Sequence, residues 1–318
     1  MAPLELDLPF TARSNPALTR ALPGHVGRLR HFGLPVDVYL EQKCPDIVGT
    51  WWPQARGGEL DLALDFFAWL FLIDDAFDGL GTPEAEKLIR QYERIPGGDT
   101  GTIHDGRARF FADIWSRQCD GMSQRYRQRA SRNWSLVLDA LLTEVVNIND
   151  GHFPTIEEYR RIRYRSGYMP LVLDMTERLR RFELPDRVHA SPAFRTLYDA
   201  TAWGANLLDD LFSYEKEAAQ GEPHNMVLVV EREHRCTRAE AVHAVTAMLQ
   251  EHITAFLTAE TELPAALDAA RIPQPDRANT HAFVGDLRSS LAAAYTWCRS
   301  SPRYTGETEW LSFRQSGS

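Results

Sequence analysis

The stretch GELDLALDFFAWLFLIDDAFD, residues 58–78, holds no proline and no glycine after its first residue, and its apolar side chains fall on nearly every face of a helical repeat. A segment with no polar face belongs inside a bundle rather than on its surface. It predicts a buried central helix, stopped by Gly79 and Gly81. At its C-terminal end, where the helix dipole already disfavours negative charge, stand Asp74, Asp75 and Asp78.

Outward from this segment the same period recurs, and the two-residue alternation of strands is almost absent. Ser191-Pro192 offers an N-cap and a first-turn proline, and the helix they open is expected to run to Gly221, roughly 44 Å at 1.5 Å per residue. Further helices are expected near 17–32, 35–48, 83–94, 104–119, 122–149, 155–181, 225–233, 237–262 and 277–299, with Gly- or Pro-containing breaks between several of them. No repeat or long linker divides the chain. The expectation is an all-α fold in a single domain over 1–318, its helical core about 17–300, with the first dozen residues and the tail after Tyr304 loosely held.

Composition narrows the chemistry. The 318 residues carry a formal charge of −9, which offers no electrostatic footprint for nucleic acid. An anionic ligand would need metal ions or a few placed arginines. Cys44, Cys119, Cys236 and Cys298 show no metal-like spacing and read as reduced thiols. The N-terminus lacks the features of a signal peptide, and the most apolar run, Leu62 to Ile73, is too short to span a membrane and contains Asp65. A soluble cytoplasmic protein, monomer or homodimer, is expected.

Asp74 and Asp78 lie one helical turn apart on one face, with Asp75 about 100° around. Hard divalent cations would relieve the repulsion among these carboxylates, and oxygen ligands of this kind suit Mg2+; the bland alternative is a solvated helix end. A second acidic stretch, DDLFSYEKE, places Asp209, Ser213 and Glu217 at i, i+4 and i+8 on one helical stripe. Its ends are about 12 Å apart along the axis. Side chains lean toward the helix N-terminus, so the longest ligand, at the C-terminal end, can reach back toward a shared Mg2+. A surface-charge pattern fits this stripe poorly, because it follows the apolar run Ala202 to Leu208.

DDAFD followed about 135 residues later by DDLFSYEKE resembles the aspartate-rich and NSE motifs of class I terpene synthases, especially the bacterial sesquiterpene cyclases. The resemblance covers roughly residues 50–304. It implies the all-α class I terpenoid synthase bundle around a central apolar cavity, with three Mg2+ ions held by Asp74, with Asp75 and Asp78 beside it, and by Asp209, Ser213 and Glu217. Asp209 stands where the family often has Asn, a change of charge more than of geometry. The family's diphosphate-sensing arginine, 46 residues before the first NSE position, falls on Arg163, with the linker at Ser166 and the effector at Gly167. Arg303-Tyr304 resembles the C-terminal RY pair, and Lys216 matches a lysine that also contacts diphosphate. Without that register, Arg163 is one of a cluster (Arg160, Arg161, Arg163, Arg165) that also reads as a solvated face.

The activity implied is Mg2+-dependent ionisation of a linear isoprenoid diphosphate, farnesyl diphosphate first and geranylgeranyl diphosphate second, followed by cyclisation of the carbocation. Phe67, Leu70, Phe71 and Trp297 are candidates for the cavity wall. Phe67 and Leu70 read equally well as plain core, whereas Phe71 and Trp297 also match family cavity positions. The tail 305–318, with Trp310 and Phe313, is a candidate lid. A chain-elongating prenyltransferase would carry a second DDxxD motif where Ser213 stands, and a proton-initiated class II cyclase would need DxDD; neither occurs. A non-catalytic helical interaction protein would have no use for metal ligands at the end of so apolar a helix.

Overall fold

The computed structural model describes residues 5–77, 79–98 and 105–305. Among them are no strands, and the helices run in the order α1 (Leu18–His31), α2 (Asp37–Glu41), α3 (Cys44–Trp51), α4 (Gly58–Phe77), α5 (Thr82–Glu93), α6 (Gly106–Cys119), α7 (Gln124–Asn149), α8 (Ile156–Ser166), α9 (Met169–Arg180), α10 (Asp186–His189), α11 (Pro192–Gln220), α12 (Met226–His234), α13 (Arg238–Ala269), α14 (Gln274–Ser300) and α15 (Pro302–Thr305). Asp78 and the stretch 306–318, including Trp310 and Phe313, lie outside the described residues. No helix among the described residues is long and apolar enough to cross a membrane.

The apolar segment 58–77 behaves as its composition demands. α4 is buried on every face, packed among α1, α3, α6 and α9. Its one buried charge in mid-helix, Asp65, is matched by three donors: His25 Nδ1 at 2.6 Å, Arg28 Nε at 2.7 Å and Arg117 Nη2 at 2.7 Å. Burial opposes ionisation of Asp65, but the bonds from His25 and Arg28 and the charge of Arg117 outweigh it and hold the carboxyl below its ordinary range. This cluster ties α1 and α6 to the outside of α4. α11 packs chiefly on α13 and α14. The approach to α14 needs Gly204, where a Cβ would lie 2.6 Å from Leu291 Cδ2.

Several boundaries differ from the sequence reading. The stretch 35–48 divides at Lys43, which is left-handed (φ 55°), because Pro45 in the first turn of α3 favours a fresh start over continuation. The stretch 155–181 divides at Gly167 and left-handed Tyr168 (φ 61°), with Pro170 opening α9 rather than closing α8. α13 runs past the expected end at 262 to Ala269, since Pro264 is tolerated on an exposed face. α14 starts at Gln274, with Pro275 in a position that needs no N–H donor. The N-terminal segment, expected to be loose, is anchored where it is described. The Leu6 amide donates to Tyr295 Oη at 2.8 Å, and buried Phe10 packs edge-on against Phe256.

Candidate active site

The C-terminal half of α4, the middle of α11, the α8–α9 break and the α14–α15 corner converge on one cavity of about 250 Å³. Asp74 and Asp75 enter it from α4, and Asp209, Ser213, Lys216 and Glu217 from α11. Arg163 and Gly167 come from the helix break, Arg303 and Tyr304 from α15. All of these were singled out from sequence, and the fold brings them to one place. Ser166 sits just behind this wall, buried, with its hydroxyl donating to Glu144 Oε1 at 2.5 Å.

Acidic and basic groups interlock across the mouth. Arg163 Nη2 lies 2.5 Å from Asp209 Oδ2 and 3.0 Å from Asp210 Oδ1. Tyr304 Oη donates to Asp209 Oδ1 at 2.6 Å. Arg303 Nη2 reaches Asp74 Oδ2 at 3.4 Å, its Nη1 lies 4.0 Å from Asp75 Oδ1, and Tyr168 Oη donates to Asp74 Oδ1 at 3.2 Å. Burial would raise Asp209, but Arg163 and Tyr304 hold it below the ordinary carboxylate range. Asp74 stays above that range, because desolvation exceeds the relief from Arg303. Glu217 is pushed up to about 8 by burial and by the charge of Asp209. Lys216 is lowered by burial and then by Arg303, and among the described residues it forms no ion pair. These carboxylates are crowded together and short of cationic partners.

The apolar remainder of the wall is aromatic. The Phe71 ring lies 5.3 Å from Trp297 and 6.4 Å from Phe67, which packs 5.4 Å from Trp51; Leu70, Met169 and Val172 fill between. Phe67 and Leu70, left open between core and cavity by the sequence, line the cavity while remaining largely buried. Trp297 is fixed by its indole N–H, which donates to the carbonyls of Gln42 (3.2 Å) and Lys43 (3.0 Å). The same turn receives Ser301 Oγ on the Gln42 carbonyl, so the left-handed step at Lys43 anchors the α14–α15 corner.

Gly167 owes its place to space rather than to backbone angle (φ −71°). A Cβ there would meet Asn206 Oδ1 at 2.0 Å. Asn206 is itself fixed, its Nδ2 donating to the Arg163 carbonyl at 3.1 Å.

Sequence reasoning missed the residues that hold this set in position. Tyr159, one turn before Arg163, donates to Asp210 Oδ2, and the Met226 amide donates to the same oxygen at 3.2 Å. Asp210 was visible as the second residue of the acidic stretch, but its neighbours in space were not. Glu144 announced itself only as a charge in a polar-faced helix; burial against the cavity raises it to about 7.

A mouth of interlocked carboxylate and cationic groups above an aromatic pocket suits a ligand with a charged head and an apolar body. The donor set also fits a hard cation. It is all oxygen, crowded and partly desolvated, although among the described residues no three carboxylate, histidine or cysteine groups already form a closed cage. Arg163 Nε is buried with no partner among the described residues, as expected of a group awaiting an anion.

The chain belongs to the terpene synthase family: the family described as terpene synthase family 2, C-terminal metal binding, matches residues 65–255. It is 30% identical to pentalenene synthase from Streptomyces avermitilis over 315 residues, covering 96% of this chain and 94% of that one. It is also 30% identical over 312 residues to a (-)-beta-caryophyllene synthase from Saccharothrix espanaensis, described as (2E,6E)-farnesyl diphosphate cyclizing, with 94% and 88% covered. The fold superposes on the crystal structure of germacradien-4-ol synthase from Streptomyces citricolor with a TM-score of 0.86 at 27% identity, covering 94% of this chain and 99% of that one. The chain is a terpene synthase with the family's all-α fold.

Proposed function

We propose that this chain is a Mg2+-dependent carbon–oxygen lyase that ionises farnesyl diphosphate and cyclises the resulting cation to a sesquiterpene, releasing diphosphate. The observation that carries this reading is that both acidic faces and all the diphosphate-binding candidates open onto the same aromatic cavity. The C15 choice is supported by the relatives whose descriptions include farnesyl diphosphate cyclizing.

Asp74, with Asp75 beside it, and the Asp209–Ser213–Glu217 stripe would hold the metal ions, three by family resemblance. When bound, the ions supply charge to stabilise the departing diphosphate. The chain's own groups divide the rest. Arg163, Lys216, Arg303 and Tyr304 direct N–H and O–H donors at the phosphate oxygens, the positions where negative charge grows as the allylic C–O bond breaks. The bonding pair leaves with the diphosphate, and the positive charge left on carbon faces Phe67, Phe71, Trp51 and Trp297. An aromatic face contributes ~2 kcal/mol to a desolvated cation and offers no nucleophile. By family resemblance the carbonyl of Gly167, which lines the cavity at the break between α8 and α9, would add a dipole toward the cation.

Arg163 is engaged by Asp209 and Arg303 by Asp74. Asp74 and Asp209 would hold the metal ions, and Arg163 and Arg303, released from them, would be free to donate to phosphate oxygens. Carboxylates outnumber cationic side chains at the mouth, so metal cations are what would let this acidic site accept a polyanion. Purified protein with Mg2+ should convert farnesyl diphosphate to a cyclic C15 hydrocarbon or alcohol in preference to geranyl and geranylgeranyl diphosphates, read by gas chromatography of the extracted volatiles. No turnover of any of the three would refute the reading.

A further inference from the structure

Asn225 is fully buried between α11 and α12, and nothing in the acidic motifs singles it out. Its two ends do different work. Oδ1 accepts the Val227 amide at 2.9 Å and so caps α12. Nδ2 faces three acceptors on α11: Glu217 Oε2 at 2.7 Å, the Asp210 carbonyl at 2.9 Å and Ser213 Oγ at 3.1 Å. The orientation of the amide is fixed by these partners. Turned over, it would set nitrogen against the Val227 N–H and oxygen against a carboxylate and a carbonyl.

Two of the three α11 acceptors are the last two members of the stripe to which metal binding is assigned. Resting on that assignment, we propose that Asn225 is a positioning residue that holds Ser213 and Glu217 in their metal-ready rotamers before any ion arrives. The physical need is plain. Asp209, Ser213 and Glu217 span about 12 Å of helix, so a shared ion requires Glu217 to reach back toward Asp209. Two carboxylates brought to one ion repel each other and resist that approach. A neutral donor on one carboxylate oxygen offsets the repulsion and stops the longest side chain from swinging into solvent, while the second oxygen stays available to the cavity. The Ser213 hydroxyl receives its bond on the same side. Cap and donor are joined in one side chain, so α12 and the stripe are set by a single docking event. Removal of an outer partner of this kind typically weakens metal affinity ~10–100-fold.

The test compares wild type with Asn225→Ser, which can still cap α12 but cannot donate as far as Glu217. Both are titrated with Mg2+ at fixed inorganic pyrophosphate, and the rise in melting temperature is followed. The variant should melt a few degrees below wild type without metal, since a buried bond to the Asp210 carbonyl is lost, need at least ~10-fold more Mg2+ for half its stabilisation, and regain the full metal-induced shift at high Mg2+. If the serine variant does not fold, Asn225→Thr, also a capping residue, takes its place with the same expectation. A variant whose Mg2+ midpoint stays within about twofold of wild type overturns the inference and leaves the proposed function standing. A wild type that shows no Mg2+- and pyrophosphate-dependent shift overturns both.

Discussion

Replacing Gly167 by alanine puts one methyl group where the structure has no room. The new Cβ would stand 2.0 Å from Asn206 Oδ1, 2.7 Å from its Cγ and 2.9 Å from its Nδ2. Asn206 is buried, and its amide is tied to the Arg163 carbonyl, so it cannot yield without releasing that bond. Overpacking of this kind costs ~1–3 kcal/mol and the lost hydrogen bond about 1 kcal/mol more. The sum, roughly 2–4 kcal/mol, corresponds to a melting temperature lower by ~3–6 °C for a chain of this length. Turnover should fall further, by ~100-fold, because the displaced segment carries Arg163 and a shift near 1 Å at a positioning group has effects of that order. Thermal melts and steady-state diphosphate release measure the two quantities. Gly167→Ala combined with Asn206→Ala should melt higher than the sum of the single losses predicts, by about 1 kcal/mol or more of coupling, since the clash partner is gone. A Gly167→Ala protein that melts and turns over like wild type would refute the claim that this contact sets the helix break.

Asp74→Ala and Glu217→Ala should each lower turnover by at least ~10³-fold while the chain still folds without metal, because the bonds each loses, from Tyr168 and Arg303 to Asp74 and from Asn225 to Glu217, are offset by relief of the charge crowding; full activity in either refutes the ligand assignment. Phe71→Leu keeps most of the volume but removes the π face, and should slow ionisation about 30-fold, the equivalent of ~2 kcal/mol, with the Mg2+ and pyrophosphate melting shift unchanged. A loss under about threefold would mean that Phe71 is packing alone. Glu144, raised to about 7 by burial, binds its proton more tightly in the folded than in the unfolded chain. Its contribution to stability is therefore lost as pH rises from the ordinary carboxylate range toward 7. Glu144→Gln should flatten that part of the melting temperature against pH profile, and an identical slope in the variant would show that Glu144 does not titrate there.

Helix-forming stretches and the two acidic motifs were legible because both are local: the all-round apolarity of 58–77 and the i, i+4, i+8 stripe need only neighbouring residues. Arg163, Ser166 and Gly167 were legible through register against the motif, not through any property of an arginine-rich helix. What escaped was set by contacts distant in sequence. Asp210, Asn206 and Asn225 carry no local sign of their partners in the sequence. Only docking of α12 and α8 against α11 gives them Tyr159, the Arg163 carbonyl and Glu217 as partners. The division at Lys43 escaped for a related reason, since lysine does not favour positive φ and Pro45 was the local sign.

The most direct test of two metal-binding faces across one cavity is anomalous diffraction from crystals grown with Mn2+ in place of Mg2+ and with inorganic pyrophosphate. Peaks should lie against Asp74 on one side and among Asp209, Ser213 and Glu217 on the other, with Arg163, Arg303 and Tyr304 turned from their carboxylate partners onto phosphate oxygens. Pyrophosphate bound without metal, or manganese bound away from either face, would contradict the account.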